Sequence, residues 1–139
     1  MRCLTDYDVK VLLAFEQAIM TKSKFFYWLT ENGYVELAAL SAAINADIDA
    51  LFWLLKSDTP QFGVLSNAID GEKNALMWLQ KNKFDFLLIF AMACRKDRNA
   101  IKWLLQRDQQ LFLNIAHKIQ EVLQNQIDDA ADVHKRRIS

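Results

Sequence analysis

Apolar and polar positions along this chain fall into two helical stripes per unit, and the unit recurs every 25 residues. Tryptophan stands at 28, 53, 78 and 103, each followed by a leucine (Leu29, Leu54, Leu79, Leu104). Two places before each tryptophan comes Phe26, Leu51, Leu76 or Ile101. Nine places after it comes Leu37, Phe62, Leu87 or Phe112, then Leu40, Leu65, Phe90 or Ile115, then Ser41, Ser66, Ala91 or Ala116. Ile44, Ile69, Cys94 and Ile119 close the stripe, preceded by Ala43, Ala68 and Ala93 in three units. Phe62, Leu65, Ser66 and Ile69 lie at i, i+3, i+4 and i+7, which lines one face of a helix from about 61 to 70. Leu51, Trp53, Leu54 and Leu55 form a second stripe on a shorter helix, roughly 48–57. This pattern predicts tryptophans packed inside the apolar stripe, as core rather than as an exposed stacking ladder.

Two helices of about ten residues and two tight turns fill such a unit, which predicts an antiparallel helical hairpin. The joints are legible: Ser57-Asp-Thr-Pro60 stops one helix and opens the next, and Asp47, Asp49, Glu72 and Asp97 gather where the tryptophan helices start. The expected fold is all-α, a right-handed α-solenoid of antiparallel helix pairs with about nine helices. A single domain spans 1–127, with a partial unit at 1–24 and units at about 25–49, 50–74, 75–99 and 100–127. The last helix is expected to run to about Gln126. Residues 128–139, which lack an apolar period, are expected to be a flexible tail.

Composition narrows the class. Three glycines and one proline in 139 residues leave too few turn residues for a strand-rich fold. The net charge is zero, so no global field favours nucleic acid or an anionic membrane. Charge is unevenly placed, however: residues 1–70 carry nine acidic and five basic side chains, residues 71–139 eight acidic and twelve basic. No run of 18 apolar residues exists, and the opening residues lack a signal-peptide pattern, so a cytoplasmic location without membrane contact is expected.

Segment Ile69-Asp-Gly-Glu-Lys-Asn-Ala-Leu-Met-Trp-Leu79 resembles the turn and second helix of ankyrin repeats, and residues 43–55 and 93–105 are similar. The unit is 25 rather than 33 residues long, and the Thr-Pro-Leu-His segment and projecting β-turn are missing. The resemblance covers about residues 12–124 and implies protein binding, with no catalytic residue to carry over.

Candidate chemistry is sparse. His117 and His134 are the only histidines, and Cys3 and Cys94 the only cysteines. No cofactor, metal site or acid–base pair is assembled by these residues, so no enzymatic activity is expected. The leading expectation is a protein- or peptide-binding scaffold, with a homodimer as one form of partner. Its surface is placed on the second helices of the units. There Ala38 and Ala42, then Gly63 and Asn67, give way to Leu88 and Met92, then Leu113 and His117. Phe86, Leu88, Met92, Leu113 and His117 are therefore the candidate contacts, because exposed apolar side chains mark interfaces. The alternative is a nucleic-acid-binding solenoid using Arg95, Lys96, Arg98 and Lys102, which Asp97, Asp108 and the neutral balance disfavour.

Overall fold

The computed structural model describes the backbone of residues 2–138 and the side chains of residues 2–132. After a short 3₁₀ turn at Leu4–Asp6 come α1 (Val9–Ile19), α2 (Ser23–Glu31), α3 (Val35–Ile44), α4 (Ile48–Leu55) and α5 (Pro60–Ile69). They are followed by α6 (Lys73–Lys81), α7 (Asp85–Cys94), α8 (Arg98–Gln106) and α9 (Gln110–Ile138). The fold is all-α, with no strand among the described residues. Consecutive helices pack on each other, and the odd-numbered helices also pack side by side from α1 to α9. The odd helices thus form an inner layer on which the even ones lie.

The two layers bury their side chains differently. Helix α3 buries seven of its ten residues, whereas α2 and α4 each bury one, Leu29 and Leu54. Every inner-helix position of the stripe is closed off: Leu37, Phe62, Leu87 and Phe112, with Leu40, Leu65, Phe90 and Ile115, are all at most 5% exposed. On the outer helices the leucine after each tryptophan is fully buried, with Leu29, Leu54, Leu79 and Leu104 all at 0%, and α6 and α8 also bury Ala75 and Ala100. The tryptophans are not core. Trp53 is 48% exposed and the other three are half-buried. An outer helix touches the body along one narrow stripe, and a residue one place from its centre is turned about 100° away.

Seven of the eight turns between helices contain one left-handed residue: Thr21, Gly33, Ala46, Gly71, Lys83, Lys96 and Asp108. The following N–H bonds back across the helix end, as in Asp47 N to Ala42 O at 3.0 Å and Asp97 N to Met92 O at 3.0 Å. This is the Schellman closure, which satisfies carbonyls orphaned at a helix C-terminus. Five of the seven are not glycine, so a reading of the sequence by its glycines finds few of these turns. The exception is the turn at residues 57–59. Pro60 opens α5, and the residue before a proline is driven toward extended backbone. There Thr59 N bonds the Ser57 hydroxyl at 3.1 Å, while Tyr34, Phe84 and Gln109 bond back to Leu29, Leu79 and Leu104.

Both ends of the inner layer are tied down. The N-terminal segment crosses the starts of α3 and α5: Arg2 Nη1 and the Tyr7 hydroxyl both donate to Glu36 Oε1, at 3.0 and 2.7 Å. Gln61 Nε2 donates to the Arg2 carbonyl at 2.8 Å. Burial, and then the bond to Glu36, pushes the Tyr7 hydroxyl well above its ordinary 10.0. At the opposite edge, α9 continues to Ile138, about twelve residues beyond the end expected from sequence. Its backbone reaches α1, so the first and last helices of the series meet.

The C-terminal edge is held by side chains that donate to the last carbonyls of inner helices. Asn45 bonds Ile19 O at 3.0 Å, Arg95 bonds Ile69 O at 3.1 Å, and Gln120 bonds Ala93 O at 2.9 Å. In the same register stands Asp70, which as a carboxylate has no proton to give. The carbonyl left over, Ile44 O, takes its donor from Gln126 of α9 at 3.0 Å, 82 residues away. Desolvation, then Glu72, pushes the Asp70 carboxyl above 3.8, with Arg95 opposing. A group raised in the folded state favours folding below its unfolded value and loses that contribution as pH rises. Asp70→Asn is therefore expected to stabilise at pH 7 by about 0.5–1 kcal/mol, and by less near pH 3. Gln126→Ala is expected to cost about 1 kcal/mol in the parent and clearly less in the Asp70→Asn background, which urea melts of the four-member cycle will read.

Candidate protein-binding surface

The contacts expected from sequence do not form one exposed patch. Leu113 is 5% exposed and belongs to the core, which corrects its assignment as a contact residue. Phe86 is half-buried and packs edge-on against Phe112 at 4.9 Å and Trp103 at 6.3 Å, joining α7 to α8 and α9. Leu88 and Met92 are half-buried and packed against the core, and among the five only His117 is exposed. The reason is visible at Gly63, the position equivalent to Leu88. A Cβ there would meet Leu55 Cδ2 at 2.8 Å, so this register faces the outer helix and not solvent.

Val9, Leu13, Val35 and Ile127 are exposed on inner helices, and the other exposed large apolar side chains lie on the outer helices. Tyr27 on α2, Phe52 on α4 and Met77 on α6 are 59%, 53% and 64% exposed, at matching positions of three successive outer helices. Ile48 and Trp53 widen the row on α4. The fourth matching position is Lys102 on α8, so the row ends in a cation. This surface was legible in principle, since Tyr27, Phe52 and Met77 are themselves 25 residues apart. What sequence reasoning missed is that the residue two places before each of the buried leucines Leu29, Leu54 and Leu79 is turned outward.

The tryptophans next to this row are unequally covered. Trp28 stacks on Tyr34 at 6.1 Å and 15°, with the Lys10 ammonium 5.7 Å from its ring centre. Trp78 stacks on Phe84 at 5.6 Å and 8°. Trp103 meets Phe86 and carries the Arg107 guanidinium at 4.0 Å. Trp53 has neither a ring nor a cation against it among the described residues, and it borders an open cleft of about 640 Å³. The cleft is lined by Arg2, Glu36, Lys56, Ser57, Asp58 and Thr59 as well.

The basic residues of the alternative reading stand at the turn between α7 and α8 and on α8. Arg95 sits against Gly71 at the end of α7 and is committed to Ile69 O, and Lys96 occupies the left-handed turn position. Arg98 and Lys102 lie on α8, beyond Asp97, whose carboxylate caps that helix by accepting from Ala100 N at 2.9 Å. Burial pushes the Cys94 thiol well above its ordinary 9.0, so it is a packed hydrophobe rather than a nucleophile. His134 lies outside the described side chains. Among the described residues, no three histidine, cysteine or acidic side chains converge on a metal position, and no helix is long and apolar enough to cross a membrane. Comparison with protein-family models, curated proteins and solved structures finds no match to this chain.

Proposed function

We propose that this chain is a non-enzymatic scaffold that binds a protein or peptide, built as a short right-handed α-solenoid of 25-residue helical hairpins. The starts of α2, α4, α6 and α8 at Ser23, Ile48, Lys73 and Arg98 support the repeat reading, as do the buried stripes common to the units. The shape is ankyrin-like without the projecting turn. A cytoplasmic setting suits the two free thiols, Cys3 and Cys94.

One observation carries the binding reading: the exposed row Tyr27, Phe52 and Met77, flanked by Ile48 and Trp53. Burying apolar surface on association is favourable by roughly 25 cal/mol per Å², and aromatic anchors dominate protein interfaces. The row spans three outer helices, which suits an extended or helical segment lying across them. A photo-crosslinking residue placed at position 52 is expected to capture protein in cells, and one at position 88 is not. Tyr27→Glu with Met77→Glu is expected to abolish capture from position 52 while circular dichroism stays unchanged. Capture from position 88 alone would return the surface to the inner helices. Steeply salt-dependent DNA binding, lost with Arg98→Glu and Lys102→Glu, would favour the nucleic-acid alternative.

A further inference from the structure

The site concerned is the cleft at Trp53, and the inference rests on the peptide-binding reading above. Four tryptophans occupy equivalent positions, and the chain itself displays what covers two of their faces. In two units an aromatic residue six places on lies parallel to the indole: Tyr34 on Trp28 and Phe84 on Trp78. The equivalent residue after Trp53 is Thr59, which offers the indole no ring. The turn that carries Thr59 is also the one rebuilt by Pro60, without a left-handed residue. The last residue of the turn alone keeps similar angles: φ/ψ is −123/55 at Thr59, −103/46 at Tyr34 and −88/60 at Phe84. Threonine at this position brings no ring to the indole.

We propose that Trp53 and the turn at residues 57–59 form an anchor pocket for an aromatic side chain of the bound peptide, which takes the place that Tyr34 and Phe84 hold in the neighbouring units. The cleft of about 640 Å³ has ample room for one ring. Its lining favours tyrosine over phenylalanine. Lys56, Ser57, Asp58 and Thr59 surround it, and the Arg2–Glu36 pair closes one side. A phenol stacked on the indole has its hydroxyl where these polar groups can receive it, whereas a phenyl edge would strip them of water. The slot lies at the C-terminal end of α4, where Trp53 follows Phe52 of the outer row, so an inserted side chain would fix the register of a segment on that row.

The test uses the full chain and two small probes, N-acetyl-tyrosinamide and adenosine, followed through the four indole N–H signals in a ¹H–¹⁵N spectrum. N-acetyl-tyrosinamide is expected to shift the Trp53 signal saturably and to leave those of Trp28, Trp78 and Trp103 in place. Thr59→Phe, which fills the slot from within, is expected to abolish the shift while the helical circular dichroism is retained. If that variant fails to fold, Trp53→Leu is used, with the Ser57 and Asp58 amides as reporters, and their response is expected to vanish. An unmoved Trp53 signal, or a shift that survives Thr59→Phe, overturns the proposal. So does preference for adenosine, which would make the slot a nucleobase site. Crosslinking from position 52 that persists when N-acetyl-tyrosinamide has no effect would discard the pocket and keep the scaffold.

Discussion

Leu54→Ala is expected to cost about 2–5 kcal/mol of stability, and Trp53→Ala, its neighbour, only about 1 kcal/mol. The usual ranking is the reverse, because tryptophan is the larger side chain and truncating a buried one costs about 3–5 kcal/mol. Position decides here. Leu54 is fully enclosed between α4 and the inner layer, and shortening it leaves a cavity that helices held on both sides cannot close. Trp53 is 48% exposed and has no stacking partner, so its removal takes away little that folding had buried. Trp78→Ala lies between the two, since that ring is half-buried and stacked on Phe84. Urea melts of the three variants will order them. A loss at Trp53 equal to that at Leu54 would mean that the indole is core, and the slot beside it would be no binding site.

Those two residues also mark where the sequence is legible and where it is not. Burial of Leu37, Leu40, Leu54 and their equivalents follows from spacing alone, because a residue repeated on a helical stripe has one face available to it. Trp53 is misplaced by the same reasoning, since a stripe only two residues wide does not say which residue is its centre. The run of α9 to Ile138 is hidden for a different reason. Residues 128–138 continue no apolar stripe that spacing could follow, and the bond from Gln126 to Ile44 spans 82 residues and leaves no local pattern. The odd turn at residues 57–59 was visible as Ser-Asp-Thr-Pro, but its consequence was not. Only comparison with the rings at Tyr34 and Phe84 in three dimensions reveals that something has been taken away from Trp53.

Gly63→Leu is expected to destabilise by about 3 kcal/mol, the upper end of ordinary overpacking. Gly63 is buried in α5, and a Cβ at this position would stand 2.8 and 2.9 Å from the Leu55 side chain and 3.2 Å from its backbone nitrogen. The side-chain clash can be relieved by turning or trimming Leu55. The backbone contact cannot, so α4 and α5 must separate, and the stripes on either side lose contact with them. The equivalent position in the next hairpin is Leu88, and the residue that takes the place of Leu55 there is Gln80. The other two units follow no rule of matched sizes, since the equivalent pairs are Ala38 with Thr30 and Leu113 with Leu105. The close approach of Leu55 accounts for the small residue at Gly63. It also predicts that Leu55→Ala will recover part of the loss from Gly63→Leu, because it clears the side-chain clash, but not all of it, because the backbone of Leu55 remains. Thermal melts of the two single variants and the double variant decide the matter. Full additivity of the two losses would show that the residues do not face each other, and would reopen Leu88 as a contact residue.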